Sequence, residues 1–598
     1  MNALIPIELA EFPAILVIEV YVLCIAVVAA LLMPAKWNGP FSRVEQALSG
    51  LARRPVFSLV VAGMAPMLLR LALSSHLPFP VPGIHDEYSY LLAGDTFRHG
   101  RLANPPHPLW AFFESIHILQ HPTYASMYPP AQGTFLAFGQ LLTGVPWTGV
   151  LISMGLFCAA LLWMLRGWVG AEWALLGAAL AIVRFGIFSY WTNSYWGGAP
   201  AAIGGALVAG SVPRLIRRRR PRHAALLAAG LLLLAASRPY EGFLFSIPFI
   251  VVCLAALVRG AWAPRQRLHV VLAASGVLIA GGTTLAYYNW RVTGDALKLP
   301  ERLNKEQYGI VPDLLFEKMR APHQYLNDDM RTFYEVLEPQ HYGPGVHSFG
   351  EFVQQASQKL LAFYDFFLGP ALLLPLLLAG AVCLRPGARV LSLAITLVLC
   401  GVALERWQFA QPHYFSPAAC AVIAVVVLAM RQIWSWKLRH RPVGRFLVRG
   451  IVFTVILMAG IRLTARRLDL DLTEWPLTWA VPPAGNYDRA AMLATLDQMP
   501  DRYLVIVRYA PEHNPVDEWV YNDADIDNAK VIWARDFGAG NLRLLRYYRD
   551  RRVVLVEPDR DRKNFFPYPA QPLSLLRGNV VQADGFADGL DGAETLQP

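Results

Sequence analysis

A short acidic and aromatic run, His85-Asp86-Glu87-Tyr88-Ser89-Tyr90, follows an apolar segment and begins a long polar stretch. Two carboxylates stand side by side in it, and a positioned carboxylate can act as the general base for a hydroxyl group. The spacing of the apolar residues that follow predicts a short helix. In its first turn, Asp86 or Glu87 would lie near the positive end of the helix dipole, which favours the ionised form of a base. The same position also suits a helix cap, which is the alternative role for Asp86.

The elements that position this run belong to a membrane protein. Hydrophobic residues make up 55% of the 598-residue chain and charged residues only 16%, which is too apolar for one soluble domain. Apolar runs recur that approach the roughly 20 residues needed to cross a bilayer as a helix. We predict about twelve spans, at residues 13–33, 56–76, 148–165, 171–190, 198–215, 224–237, 242–258, 269–289, 362–384, 390–404, 416–433 and 450–464.

Basic residues mark alternate loops between these spans, most densely at residues 214–222. Short loops rich in Lys and Arg stay on the cytoplasmic side of a membrane. The complementary loops, at 77–147, 190–197, 290–361 and 405–415, are therefore predicted to face outwards. The net charge of +10 follows from this asymmetry, so it gives no reason to expect a nucleic-acid partner. A short apolar run at 131–142 would break the alternation as a span, and we expect an interfacial helix there.

The chain changes character near residue 466. Residues 1–465 are predicted to form the membrane domain. In residues 466–598, short β-rich runs alternate with helical stretches, which is typical of a small α/β domain. The predicted fold class is therefore an α-helical polytopic membrane protein with a C-terminal extracytoplasmic α/β domain and a loosely ordered tail. The expected strands are residues 503–507, 531–533 and 553–556.

The first outward loop also contains Asn104-Pro105-Pro106-His107 and Tyr128-Pro129-Pro130, the second of which opens an apolar run. The Asp-Glu pair followed by Tyr, and then a Pro-Pro pair at the start of an apolar helix, resembles the first periplasmic loop of GT-C glycosyltransferases. The most similar families are the protein O-mannosyltransferases and the bacterial aminoarabinose and arabinose transferases. The resemblance covers residues 85–133 in sequence and the helical bundle only in layout.

The resemblance implies that a sugar is transferred, with inversion, from a polyprenyl-phosphate donor to a glycan, lipid or protein acceptor. The site would lie on the periplasmic side of a bacterial inner membrane, among membrane lipids. Asp86 matches the family's catalytic carboxylate and Glu87 its neighbouring acidic position. The chain departs from the family at Tyr128, where a Lys often precedes the Pro-Pro pair, so the donor phosphate must be bound from elsewhere.

Arginines near the outer face are the candidates for that contact, because a guanidinium offers a fork of donors to a phosphate. Arg238 stands between two apolar runs, where a charge is costly and tends to be functional. Its alternative role is a structural pair with Glu241. Arg184, inside the fourth predicted span, is the second candidate, although it could instead bond to the backbone or extend towards the interface.

Further outward residues are candidates for binding substrate. Aromatic rings stack on the C–H faces of sugars, whereas amides and imidazoles meet their hydroxyl groups. The alternative for the aromatic residues is an interfacial belt. The candidates are His85, Tyr88, Tyr128, Asn193, Tyr195, Trp196, Glu241, Gln411, His413 and Tyr414.

The sequence contains no tight metal-binding signature, so no dedicated metal site is predicted. The histidines of the first outward loop could join Asp86 and Glu87 around a divalent ion, and Mg²⁺ or Ca²⁺ at the two carboxylates is the stronger possibility. The long loop 290–361 could serve as a lid over the site or as scaffold for the C-terminal domain. Two rival functions stay open: a transporter or flippase, and a ligase or polymerase of lipid-linked glycans.

Overall fold

The computed structural model describes residues 14–34, 38–343, 345–406, 411–468, 470, 478–479 and 485–568. Within these ranges, 10 helices are long and apolar enough to cross a membrane. They correspond to all but two of the predicted spans, so the chain is a multi-pass membrane protein. Their bounds are Ala14–Leu32, Pro55–Ala72, Trp147–Leu165, Ala199–Arg218, Pro239–Arg259, Pro264–Thr293, Phe349–Leu384, Pro386–Leu404, Pro412–Trp434 and Val443–Thr464.

The two remaining predicted spans are also helices. One is Ala171–Ala181, which continues as a π-helix over Ile182–Ile187. The other, Pro221–Ala235, has 15 residues, about one turn fewer than a full crossing requires. The apolar run expected at the interface is the 14-residue helix Pro130–Thr143.

The outward region near the Asp-Glu pair is built on the helix His85–Arg98. It packs against Pro130–Thr143 at close range, because a Cβ on Gly133 would lie 2.6 Å from the Cβ of Ala93. Shorter elements complete this layer and the rest of the membrane domain. They are Asn38–Ala52, Trp110–Phe113, Ile118–Leu119, Ala125–Ser126, Tyr190–Asn193, Pro300–Gln307, Asp328–Thr332, Phe333–Leu337, Glu338–Tyr342 and Ala465–Arg467.

The C-terminal region is an α/β unit, as predicted, with a strand at its edge that the sequence pattern did not indicate. Its helices are Tyr487–Gln498 and Asn541–Tyr547. The strand Tyr503–Val507 lies between Val531–Arg535 and Arg552–Glu557 and is parallel to both. The extra strand, Asp561–Pro567, pairs antiparallel with Arg552–Glu557. The predicted tail from residue 569 lies outside the described residues.

The sheet and the first outward loop share one hydrophobic core. Leu92, Phe112 and Tyr124 of the loop are buried in the same cluster as Leu504 and Ile532 of the sheet. Burial of apolar area across this junction stabilises both parts at once. The sheet therefore packs against the region that carries Asp86.

Candidate functional site

Asp86 lies in the first turn of its helix but does not cap it. The N-cap is Ile84, and no side chain there bonds to a backbone N–H. Instead, Oδ1 of Asp86 lies 2.6 Å from Nδ1 of His117 and accepts a hydrogen bond from the hydroxyl of Tyr128. That hydroxyl is 3.0 Å from the same His117 nitrogen. The capping alternative is therefore wrong, and Asp86 belongs to a polar cluster with His117 and Tyr128.

The surroundings of Asp86 favour its ionised form. Burial opposes ionisation, but the charge and hydrogen bond of His117 outweigh it, so the pKa of Asp86 lies well below its usual range. The carboxylate is nevertheless reachable, because 22% of its side chain is exposed. An ionised, accessible carboxylate is what a general base for a hydroxyl group requires.

His85 completes a set of possible metal ligands. The ligand atoms of His85, Asp86 and His117 all lie within 4.8 Å of one another. His85 is 7% exposed, and its Nδ1 is buried without a hydrogen-bond partner. Two imidazoles and one carboxylate suit a divalent transition metal better than Mg²⁺ or Ca²⁺, which prefer all-oxygen sites. The residues thus fit a metal, though not the hard cation expected at Asp86 and Glu87.

Glu87 faces away from this cluster. One of its oxygens accepts the backbone N–H of Gly83 at 2.8 Å, and the other accepts that of Tyr195 at 2.9 Å. The side chain is buried, and burial raises the pKa of Glu87 to about 7 even though both hydrogen bonds oppose the shift. Glu87 therefore ties two outward segments together, and its oxygens are already occupied by backbone donors.

Arg238 lines a small pocket. It precedes the helix Pro239–Arg259, and its guanidinium lies 4.5 Å from the ring centre of Tyr414 and 3.9 Å from a carboxylate oxygen of Glu241. One fifth of the side chain, 20%, is exposed. Small residues form much of the wall, and the larger or polar residues around it are Tyr90, Gln132, Trp196, Ser237, Arg238 and Ser416.

Two tyrosines connect this pocket with the Asp86 cluster. Tyr90, in the pocket wall, stacks on Tyr128 with ring centres 4.4 Å apart and planes 17° from parallel. Tyr128 donates to Asp86. Burial raises the pKa of Tyr90, and the opposing charges of Arg238 and Asp86 both act on it. Asp86 and the pocket that Arg238 lines are thus connected through the stacked pair Tyr128 and Tyr90.

The second candidate for phosphate binding, Arg184, does not reach the pocket. Its side chain has no exposure and donates to the carbonyl oxygens of Phe366 and Asp365, at 3.1 and 2.9 Å. A buried Arg can compensate its charge with backbone oxygens and a carboxylate. Here the carboxylate is Glu19, 3.9 Å away. Arg184 is therefore placed to hold helices together, as its alternative role required.

Asn193 likewise has local partners. Its Oδ1 accepts from Nε of Arg70 at 2.6 Å, and its amide donates to the carbonyl oxygens of Ile187 and Ser189, both at 2.9 Å. Its hydrogen-bonding groups are thus engaged within the fold, and it does not line the Arg238 pocket. The aromatic-belt alternative does not describe it either, since it braces an arginine.

The other substrate candidates divide between the pocket and its support. Trp196 lines the pocket, and Tyr414 lies under Arg238. His413 is buried beside Trp196 and hydrogen-bonds to the hydroxyl of Tyr190 at 2.9 Å. Gln411 is half-buried at the start of the same segment.

Tyr88 and Tyr195 hold parts of the protein together. The ring of Tyr88 packs against that of Tyr521 in the C-terminal unit, with ring centres 4.7 Å apart and planes tilted by 35°. The backbone N–H of Tyr195 donates to Glu87. Its carbonyl oxygen accepts a hydrogen bond from the amide of Gln132. Neither side chain lines the pocket.

Sequence reasoning missed four wall residues, Tyr90, Gln132, Ser237 and Ser416, and grouped His117 with Asp86 only as a possible ion ligand. Tyr90 follows Asp86 by four positions, which is the spacing of one helix face, so a signal for it existed. Gln132 follows the Pro-Pro pair by two positions. The prediction did not separate His117 from the other histidines of the loop, because it reaches Asp86 from a segment in which its own φ is 62°, in the left-handed region.

Comparison with known proteins gives distant likenesses only. No family model matches the chain, and no curated protein matches it. ArnT from Cupriavidus metallidurans, in its apo state, is 13% identical over 86% of this chain and 94% of its own, with a TM-score of 0.46. ArnT bound to undecaprenyl phosphate gives a TM-score of 0.45 at 13% identity, with the same coverage of 86% and 94%.

The apo oligosaccharyltransferase of Archaeoglobus fulgidus is 12% identical over 76% of this chain and 62% of its own, with a TM-score of 0.43. The present chain thus spans about three fifths of the length of that enzyme. The same oligosaccharyltransferase has been solved in complex with Zn and sulfate. At such identities, the role of each residue has to be argued from its own surroundings.

Proposed function

We propose that this chain is a GT-C type membrane glycosyltransferase that uses a polyprenyl-phosphate sugar as donor and an extracytoplasmic glycan, lipid or protein as acceptor. One observation carries the proposal. The ionised, partly exposed Asp86 accepts a hydrogen bond from Tyr128, and Tyr128 stacks on Tyr90, which lines one pocket with the partly exposed Arg238. A base and a phosphate-binding cation connected through an aromatic pair are the parts that glycosyl transfer from a lipid phosphate needs.

The reaction assigns one role to each part. Asp86 takes the proton from the acceptor hydroxyl, and the hydroxyl oxygen forms a bond to the anomeric carbon. The bond from that carbon to the phosphate oxygen breaks on the opposite face, so the configuration inverts. Its electron pair leaves with the phosphate, and Arg238 compensates the added negative charge. Tyr90 and Tyr128 present aromatic faces against which the sugar ring can stack.

Two further groups support this chemistry without carrying the proton. Glu87, with both oxygens engaged by backbone N–H groups, positions the segment that carries Asp86. A divalent transition metal held by His85, Asp86 and His117 would supply Lewis acidity near the acceptor hydroxyl. Arg238 and the tyrosine wall act on the donor whether or not such an ion is bound.

The alternation of basic loops supports a bacterial inner-membrane location with the site and the C-terminal unit on the periplasmic side. Residues 1–465 would then be the catalytic membrane domain and residues 466–598 a periplasmic support for it. The shared core of the sheet and the first outward loop is what this assignment rests on.

A donor panel tests the proposal. Purified protein in nanodiscs is incubated with radiolabelled polyprenyl-phosphate sugars and membrane extract, and products are separated by chromatography. We expect transfer or slow hydrolysis of at least one donor, and its loss in Asp86→Asn at equal folded yield. Consumption of no donor, together with movement of a labelled lipid across sealed vesicles, would replace the transferase with a transporter. Consumption of only pyrophosphate-linked oligosaccharides would favour a ligase or polymerase.

A further inference from the structure

The helix Asn38–Ala52 lies between two candidate membrane spans, Ala14–Leu32 and Pro55–Ala72. It has 15 residues, fewer than a full crossing requires. It does not continue into the second span, because Arg54 stands before a proline and is extended, with a φ of −96° and a ψ of 92°. The helix therefore lies on the side of the membrane where the first span ends and the second begins.

One face of this helix is apolar and points away from the protein. Phe41, Val44 and Leu48 follow one another at intervals of three and four residues, so they form one apolar row along the helix. Their exposed fractions are 39%, 61% and 50%. The second span likewise exposes Val56 and Phe57 near its start, at 72% and 55%. The apolar row is thus followed along the chain by further apolar side chains that the protein does not cover.

The face of the helix that contacts the protein is polar. Glu45 accepts hydrogen bonds from Nε and Nη2 of Arg449 at 2.7 and 2.9 Å, and the hydroxyl of Ser49 donates to Glu172 at 3.1 Å. Only Phe41, whose ring lies 4.9 Å from the same guanidinium, reaches from the apolar row to this side. A helix on the surface of a soluble domain buries its apolar face instead. The reversed arrangement is suited to a helix whose apolar row is covered by lipid.

The exposed charges on and beside the helix are mainly positive. Arg43 is exposed on the helix, and Arg53 and Arg54 are exposed directly after it. Glu45 is the only acidic residue in the helix, and it is already paired. Arg53 lies 3.7 Å from a carboxylate oxygen of Glu172, so its charge is partly offset. A basic edge beside an exposed apolar row is typical of helices that lie in the membrane interface and attract anionic phospholipids.

We propose that the helix Asn38–Ala52 lies in the membrane interface and binds anionic phospholipid, with its apolar row against the acyl chains and Arg43 and Arg54 at the phosphate groups. The basic loops mark this side of the membrane as the predicted cytoplasmic one, so the lipid belongs to that leaflet. The proposal uses no residue of the candidate site, and it therefore does not depend on the reaction that the protein carries out.

Photo-crosslinking tests what covers the apolar row. Full-length protein with Leu48→p-benzoylphenylalanine is reconstituted in nanodiscs of equal parts phosphatidylglycerol and phosphatidylcholine, irradiated and digested, and the adducts are identified by mass spectrometry. We expect lipid adducts, with phosphatidylglycerol about tenfold more frequent than phosphatidylcholine, because two arginines attract the anionic headgroup. The same probe at Gln46, which is exposed on the polar part of the helix, is the control and should capture far less lipid.

Removal of charge tests the arginines. Adding Arg43→Gln and Arg54→Gln to the Leu48 probe should bring the ratio of the two adducts close to one, and high salt should do the same without these substitutions. Arg259→Gln with Arg265→Gln removes the same charge from exposed positions in another basic loop and should change the ratio less than twofold.

Three results would overturn the proposal. Adducts to a second copy of the chain, or to another protein, would replace lipid as the occupant of the apolar row. Equal labelling of the two lipids by the probe protein would remove the anionic preference. Labelling of lipid no stronger from Leu48 than from Gln46 would show that the apolar row does not lie in the membrane.

Discussion

The protein contains two carboxylate and arginine sets with similar groups in opposite surroundings. Inside the helical bundle, Glu19 and Arg184 have no exposed side-chain surface. Glu19 accepts from the backbone N–H of Ala371 and from Nε1 of Trp479, each at 3.0 Å. In the candidate site, Asp86 and Arg238 keep 22% and 20% of their side chains exposed.

The difference teaches that a charge within a membrane protein is a functional marker only when its hydrogen-bonding groups remain accessible. Glu19 and Arg184 form hydrogen bonds to the backbone in place of hydrogen bonds to water. These bonds stabilise the two charges and leave no approach for a ligand. Asp86 and Arg238 are preorganised by a histidine and by aromatic rings, yet each keeps a face towards solvent or the pocket. The predictions below test that contrast.

Asp86→Asn should have the largest effect. Asparagine keeps the size of the side chain but cannot take a proton, so kcat/KM for sugar transfer should fall about 10³-fold. The measurement is the rate of transfer from the radiolabelled donor, normalised to folded protein.

Asp95→Asn is the matched control on the same helix, because Asp95 is buried and bonds to the backbone N–H of Ala524 at 2.9 Å. It should leave kcat within a few-fold of the wild type while lowering the thermal midpoint. If Asp86→Asn were as active as Asp95→Asn, the assignment of Asp86 as the base would be contradicted.

Arg184→Met should affect the fold far more than the chemistry. Removing one partner leaves Glu19 buried and unpaired, which costs about 3–5 kcal/mol in unfolding free energy. Chemical denaturation in detergent measures this loss. Turnover per folded molecule should stay within twofold, and the pair Glu19→Gln with Arg184→Met should recover part of the stability. A folded variant with a strongly raised KM for the donor would give Arg184 a role in binding phosphate after all.

Arg238→Lys should raise the KM for the donor about tenfold, and Arg238→Ala about a hundredfold. Lysine keeps the charge but loses the fork of donors and the flat contact with Tyr414. Arg302→Ala removes a well-exposed arginine of another outward segment and is the control. Equal KM values for all three variants and the wild type would separate Arg238 from the donor phosphate.

Local patterns predicted most of the architecture. Spans follow from composition over one helix length, and the α/β alternation of residues 485–568 follows from short periodic runs. Asp86 was found because its partners in sequence already formed an unusual acidic and aromatic run. The alternative role of Asp86 as a helix cap also follows from local sequence. Only the orientation of its side chain towards His117, 31 positions away, decides against that role.

The remaining parts of the site depend on contacts between distant segments. In the sequence, Glu87 resembles a second acid beside Asp86. In the structure, its carboxylate oxygens accept backbone N–H groups from two different loops. Arg184 and Arg238 have similar apolar neighbours along the chain, and what separates them is which of them meets carbonyl oxygens in the folded bundle. A sequence pattern predicts which face of a single helix or strand is apolar or polar. It does not predict which residues of other segments that face contacts.

A third buried carboxylate, Glu114, should give the most specific effect, a change in how stability depends on pH. It is 3% exposed where the first outward loop meets the loop 290–361, and it accepts from the hydroxyl of Tyr308 at 3.1 Å and the amide of Asn327 at 2.8 Å. Burial raises the pKa of Glu114 to about 7, although both hydrogen bonds and Arg535 oppose the shift. Its environment is thus closed like that of Glu19, but it lies outside the candidate membrane-spanning helices.

Because the folded state holds this proton more tightly than the unfolded chain, the contribution of Glu114 is fully present below about pH 4.5 and is lost as pH rises through about 7. The loss is on the order of 3 kcal/mol. Glu114→Gln cannot titrate, so the denaturation midpoint of this variant should vary less between pH 5 and 8 than that of the wild type. Identical pH dependence in the two proteins would mean that Glu114 stays ionised there. The contact between these two loops would then resemble the surroundings of Asp86, in which the ionised carboxylate is the stable form.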